Sequence, residues 1–476
     1  MFGPHRLPCE TPVAHRKGRL ADSERKWVLP AAIFGSSLGF IDSSAVNVAL
    51  PAIRDDLAVN LATVQWVVNG YMLTLASLML LGGTAGDRYG RRLVFLIGLV
   101  AFAAASLACG IAPSAGWLIS GRFIQGAAAA LLTPTSLAIV GAAFSDEERG
   151  PAIGTWAAAG ALTVALGPPL GGWLVDTIGW RAIFFINLPL AMVALVLAIK
   201  LPADRSEGTG KLDVNGALLA VTGLGLLSFG LITLGEGNSS SGTLAILAAI
   251  PVAWFFVRIE ARADEPMMPL EMFRNRNFAA ANILTVLLYA ALSGALFLLP
   301  FLLIEQHGYS TTGAGAAFLP FSIIMGLGSR RSGGLVARFG ARPPLIVGPS
   351  VTALGFIVLG LSGESQSFWW GFLPGLVIVG IGMTVSVAPL TTTVLNAAPD
   401  ERSGTASGIN NAAARVGGLV AVAALGLAFG PSGETAAGGM VLLDAYRLVM
   451  FAAAVLAVLS ALTAAIMIDN VPPTTN

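Results

Sequence analysis

The stretch "GTAGDRYGRR" (83–92) recurs 250 residues later as "GGLVARFGAR" (333–342), matching Gly83 with Gly333, Arg88 with Arg338, Gly90 with Gly340 and Arg92 with Arg342. A second pair, "DEERGPAIG" (146–154) and "DERSGTASG" (400–408), repeats at an offset of 254. All four strings interrupt long apolar runs. A helix needs about 20 apolar residues to cross the hydrocarbon core of a bilayer. Fourteen such runs lie near 28–51, 62–83, 93–112, 117–142, 151–175, 182–201, 214–234, 243–257, 278–304, 313–329, 345–361, 369–395, 404–430 and 446–468. The repeats relate the loop after span 2 to the loop after span 10, and the loop after span 4 to the loop after span 12. Span n therefore answers to span n + 8, and spans 7 and 8 have no counterpart. The predicted fold is an all-α polytopic membrane protein. It divides into a tail (1–27), a six-helix bundle (28–201), a linker with two extra helices (202–277), a second six-helix bundle (278–468) and a short tail (469–476). Like-oriented repeats of this kind place a cavity at the interface of the halves.

Composition agrees with this plan. The chain is 55% hydrophobic and 11% charged, against about 25% charged residues in soluble proteins. Acids and bases nearly cancel, 26 against 27, so no basic field points to nucleic acid. Cys9 and Cys109 do not form a disulfide framework, and no Cys/His cluster has metal-ligand spacing, so neither metal nor cofactor is expected. The first apolar run is too long for a signal-peptide core and lacks a cleavage site, which predicts an uncleaved anchor. Of the 27 basic residues, all but Arg54, Arg122, Arg181, Arg415 and Arg447 fall in the N-terminal tail and alternate loops. Lys and Arg are retained on the cytoplasmic side, so both termini are predicted there, in a multi-pass cell-membrane protein. No loop is long enough to fold as a soluble domain, and no catalytic residues are expected.

Two charges stand out. Asp42 lies about fourteen residues into span 1, roughly 20 Å from its start at 1.5 Å per residue. An ionised carboxylate at the centre of a membrane helix costs about 2.5–3.5 kcal/mol, so it must face a wet cavity, find a cation or take up a proton. Burial favours the neutral acid and a nearby guanidinium favours the carboxylate, so the two together can poise a site for proton loading and release. Arg122 in span 4, with Gln125 one turn on, offers a cation that does not discharge. A permanent structural pair is the competing reading. Arg415 in span 13 raises the same question.

Other motifs concern movement and packing. The loop of Gly83, Asp87, Arg88, Gly90, Arg91 and Arg92 needs glycine for a tight helix connection, and its Asp87 carboxylate suits the positive N-terminal end of another helix. In "GPPLGG" (167–172), Gly167 and Gly171 have the small-xxx-small spacing of close helix contact, and Pro168 and Pro169 lack amide donors and are expected to bend the helix. Gly172 closes the motif. Asn47, Gln65, Trp66, Asn69, Tyr71, Gln125, Asn282, Tyr289, Asn410, Asn411 and Arg415 are candidate cavity-lining groups. Trp369 and Trp370 fit an interfacial aromatic belt, and His307 falls in an outer loop.

With these residues in view, "GGTAGDRYGRR" resembles the loop signature of the major facilitator superfamily, and "RFIQGAAAALLTP" (122–134) its fourth-helix signature. "ALGPPLGGWLVDTIGWRAIFFINLP" (165–189) is similar to the fifth-helix antiporter motif, and "IDSSAVNVALP" (41–51) to the first-helix motif of the fourteen-span drug:proton antiporters. The resemblance covers nearly the whole chain. It implies two rocking bundles, proton coupling through Asp42 tuned by Arg122, and a seal between bundles at "GPPLGG". It also implies a gating contact from Asp87 to the start of span 13. Ala337 stands where the second loop copy has an acid in the family, so that latch is expected to be one-sided. Arg330 and Arg331 interrupt the expected end of span 10. The function expected is proton-coupled export of drugs or other amphipathic small molecules by a monomer in the lipid bilayer, fuelled by the proton gradient. A proton-coupled importer or facilitator of a small nutrient or metabolite is the alternative.

Overall fold

The computed structural model describes residues 25–202, 212–399, 402–429 and 439–469; the side chains of residues 146, 147, 330, 331, 439 and 440 are also outside the description. Cys9, most of the basic tail, Asp400 and Glu401 of the second repeat, residues 470–476, and the side chains of Arg330 and Arg331 thus lie outside the described residues. Fourteen described helices are long and apolar enough to cross a membrane. Spans 1 to 6 are Val28–Leu57, Leu61–Tyr89, Arg91–Gly110, Ala115–Ala143, Glu148–Thr177 and Ala182–Ile199. Spans 7 and 8 are Val214–Gly235 and Ser239–Glu260. Spans 9 to 14 are Arg276–Gln306, Thr311–Ser329, Arg342–Leu361, Phe368–Asn396, Ser403–Ala428 and Val441–Met467. Below, the near face is the one where span 1 starts and span 14 ends, and the far face is the opposite one.

Helix starts leave backbone amides without partners, and short polar side chains meet them. Asn60 accepts from the Thr63 amide at 2.9 Å, Asp213 from Gly216 at 2.8 Å, Asn275 from Asn277 at 3.0 Å and Ser310 from Gly313 at 3.0 Å. Span 5 stays helical through Pro168 and Pro169. Trp369 and Trp370 are largely exposed at the start of span 12.

The repeat is visible in detail. Gly90 and Gly340 both take positive φ, +95° and +79°, a conformation that favours glycine. Arg92 donates to the Ile199 carbonyl at 2.6 Å, tying span 3 to the end of span 6, and Arg342 donates to the Ala465 carbonyl, tying span 11 to span 14. Arg88 lies over Tyr89 at 5.3 Å, and Arg338 over Phe339 at 5.1 Å.

In the first bundle span 4 packs on spans 1, 2 and 3, while span 1 also packs on spans 5 and 6. In the second, span 11 packs on 12 and 14, span 9 on 13 and 14, and span 10 on 12. Between bundles, span 2 meets span 13 and span 5 meets span 10. Spans 7 and 8 form a hairpin, and span 7 rests on both span 2 and span 13. The apolar core is asymmetric. Val46, Leu50 and Ile53 of span 1 share one continuous core with Phe297, Phe301 and Ala314 of the second bundle. In the near half of the first bundle, Val28, Leu38, Leu75, Met79, Phe95 and Leu99 form a separate core.

Candidate functional site

Asp42 is fully buried inside the first bundle, held by groups from two other spans, 4 and 6. Its Oδ2 accepts from Arg122 Nη1, and its Oδ1 accepts from Gln125 Nε2 at 2.9 Å and Asn187 Nδ2 at 3.3 Å. Arg122 is equally buried. Its Nη1 also donates to Gln125 Oε1 at 2.7 Å and its Nε to the Val67 carbonyl at 3.0 Å. The Tyr71 ring lies 4.3 Å from the guanidinium carbon, within cation–π range. Ser106 accepts from Asn187 at 3.0 Å and from Gln125 at 3.3 Å, and its hydroxyl donates to the Phe184 carbonyl at 2.8 Å.

Of the alternatives open to a deep carboxylate, the structure gives Asp42 a cation. The guanidinium and the two side-chain amides around it supply the hydrogen bonds a buried ion pair needs to offset desolvation. Gln125 belongs to this cluster and does not line a substrate cavity, because its face of span 4 is turned into the bundle with Arg122. Asn187 and Ser106 were not anticipated. Each is a single polar residue in an apolar run, and that is its only trace in the sequence.

The remaining cavity candidates divide by exposure. Gln65 is buried and reaches across the seam, donating to the Val422 carbonyl of span 13 at 2.6 Å. Asn69, one turn further on, is buried, and neither amide atom is bonded among the described residues. Asn282 is buried and bonds the Phe278 carbonyl, while half-buried Asn410 donates to Thr285 Oγ1 at 2.7 Å and to Asn282 Oδ1 at 3.3 Å. Asn47, Trp66, Tyr289 and Arg415 are half-buried, and Asn411 is exposed. Arg415 is near enough to Tyr71 and Tyr289 for its charge to act on both, so it lies at the seam among spans 2, 9 and 13. A turn away, Met72, Ser293 and Gly418 meet.

The far end of the seam is tied. Asp176, at the end of span 5, accepts from the Thr311 amide at 3.1 Å, the Thr312 amide at 2.7 Å and the Thr312 hydroxyl at 2.6 Å, capping span 10 across the bundles. Arg54 pairs with Glu305 at 3.0 Å. The expected seal at "GPPLGG" is split between two neighbours. A Cβ on Gly167 would overlap Ser44, and one on Gly171 would crowd Ala45, both in span 1 of the same bundle. The contact between bundles comes from the other side of that turn, where Gly172 meets the Thr311 carbonyl and the Pro168 carbonyl meets Gly315.

At the near end, the contact expected from Asp87 to the start of span 13 is not made. Asp87 is exposed and bonds Arg91 in its own loop, at 3.0 and 3.2 Å. A side chain added at Gly404, in the first turn of span 13, would meet nothing within 4 Å. His307 bonds the Gly363 carbonyl at 2.9 Å.

Comparison with known proteins gives this geometry a context. Residues 32–422 match the family model described as Major Facilitator Superfamily. The chain is 38% identical over 403 residues to the multidrug resistance protein Stp of Mycobacterium tuberculosis, covering 84% of this chain and 74% of that one. It is 36% identical over 429 residues to the tetracenomycin C resistance and export protein of Streptomyces glaucescens, covering 88% and 78%. Among solved structures, a bacterial homolog of the human lysosomal transporter Spinster, in an inward-facing and unoccupied conformation, aligns with a TM-score of 0.66 at 19% identity, covering 93% of this chain and 97% of that one.

Proposed function

Because this chain belongs to the Major Facilitator Superfamily, in its fourteen-helix multidrug-efflux branch, we propose that it is a proton-coupled antiporter of the cell membrane. In this reading it works as a monomer and exports drugs or other amphipathic small molecules. The near face is cytoplasmic, on the distribution of basic loops, and the two bundles, 28–201 and 278–468, rock about the seam with the 202–277 hairpin spanning it.

The observation that carries the reading is the buried cluster of Asp42, Arg122, Gln125 and Asn187. A titratable acid at mid-membrane, with its counter-charge on another helix, is a device for proton relay. Protonating Asp42 removes the charge that holds Arg122, and a guanidinium left without it has to find other acceptors. Span 1 carries that change onward. Two and three residues beyond Asp42, Ser44 and Ala45 bear on Gly167 and Gly171 of span 5. The opposite side of that turn, through Pro168 and Gly172, bears on span 10. These contacts link the helix that carries the acid to the far seal, which supports a route by which the proton site biases the gate. Each proton entering down the potential supplies about 2.3 kcal/mol per 100 mV.

The test is an efflux panel of amphipathic compounds of each charge, run with wild type and Asp42→Asn over a range of external pH. The variant is expected to lose pH-driven export. Export equal to wild type, with the same pH dependence, would make the pair structural and end the proposal.

A further inference from the structure

Resting on the transporter reading above, we infer that Arg415 is a substrate-selecting cation and that this chain prefers amphipathic compounds bearing an acidic group, such as aromatic carboxylates. Arg415 is twelve residues into span 13, about 18 Å from its start at 1.5 Å per residue, a depth similar to that of Asp42 in span 1. Among the described residues, Asp42 is the one acid at that depth, and Arg122 neutralises it with Gln125 and Asn187 completing its shell. From sequence, one deep acid and two deep arginines leave the sign of the cavity open. The structure closes that question by pairing two of the three.

Arg415 is left over. Arg54 has Glu305, Arg181 has Asp56, Arg402 has Glu271 and Arg447 has Glu364. Arg415 makes no hydrogen bond, ion pair or ring contact among the described residues. Guanidinium cannot discharge, and charged side chains at this depth face a bundle interior or a wet cavity and find a partner there. The missing partner is an anion. Its surroundings suit one attached to an apolar body. On its own helix the i−3 and i+3 neighbours of Arg415 are small, Ala412 and Gly418, which leaves room on that face for the planar fork, whose geometry matches a carboxylate bidentately. Half-buried Tyr289, within reach of the charge of Arg415, has a hydroxyl with no hydrogen-bond partner among the described residues. Tyr71, whose ring lies over Arg122, is within reach of the charge of Arg415 as well, so an anion here and a proton at Asp42 occupy neighbouring sites.

An energetic consequence follows. Exchanging one proton inward for one monoanion outward moves two charges with an interior-negative potential, so export of such a substrate is driven by voltage as well as by the pH gradient.

The experiment measures equilibrium binding of three probes that share one ring system, 2-naphthoate, 2-naphthamide and 2-naphthylmethylammonium, to the purified full chain. Wild type is expected to bind the acid at least about tenfold more tightly than the ammonium compound, the scale of one charge-assisted hydrogen-bonded contact. Arg415→Gln is expected to bring the two within about twofold of each other. Arg415→Lys keeps the charge without the fork and is expected to retain part of the preference, which separates loss of charge from misfolding. An ammonium probe binding wild type as well as the acid, or a preference for the acid that survives in Arg415→Gln, overturns the inference. A wild type that shows no preference, beside intact proton-driven export, sinks this inference alone. An intact preference beside export indifferent to the proton gradient sinks the antiporter reading alone.

Discussion

At the far end of the seam between the bundles, the Asp176 carboxylate caps the first turn of span 10 and Arg54 meets Glu305. At the near end, the Asp87 carboxylate bonds Arg91 in its own loop, and the first turn of span 13 is open beside Gly404. Both ends thus have an acid within the chemistry of a helix start, where unpaired amides and the positive end of the dipole attract negative charge. One cap is made across the bundles and the other is not. The apolar cores agree: on the far side one core runs through both bundles, and on the near side the first bundle keeps its own. A latch is therefore defined by which helix start an acid occupies, and an acid in a motif is only a candidate until its partner is seen.

The contrast can be broken most forcefully at Gly172. A leucine there has to enter the space of the Thr311 backbone, and overpacking of this kind costs about 1–3 kcal/mol. Gly172→Leu is expected to part spans 5 and 10, raising the labelling of a cysteine introduced at Thr312 by a membrane-impermeant reagent. Unchanged labelling would mean that the far end is not held by this contact. Asp176→Ala removes the cap alone, and loss of an N-cap costs about 0.5–2 kcal/mol. It should raise labelling at the same position by a smaller factor, with the helical fold intact by circular dichroism. Asp87→Ala should do least to this conformation, because an exposed i,i+4 pair contributes only about 0.3–0.5 kcal/mol. Its expected mark is elsewhere: a cysteine at Gly404 stays reactive from the near side under conditions that protect it in the parent protein. Equal protection in both would remove Asp87 from the gating account.

Much of the fold was legible because its physics is written in length and repetition. Apolar runs long enough for a bilayer leave little choice but helices, and the paired loops at 83–92 and 333–342 tie the helices into two like halves. Asp42 and Arg122 were legible as lone charges in apolar runs. Their setting was not. Helical periodicity puts Gln125 on the face of Arg122 but cannot say whether that face meets a cavity or the inside of a bundle. Gly167 and Gly171 announce a close neighbour without naming it, and it is span 1 of the same bundle. Asn187 and Ser106 pass as ordinary polar residues of a membrane helix. Asp176 passed unnoticed because an acid at a helix end is common, and its partners are more than 130 residues away.

The central claim is that the protonation of Asp42 governs the far seal through spans 1 and 5. It is tested most directly by spin labels at Thr177 and Ser310, with the distance between them recorded over a pH series in wild type and in Asp42→Asn. The account predicts a distance distribution that shifts with pH in wild type and stays fixed across the range in the variant. An identical pH response in the two proteins would contradict it.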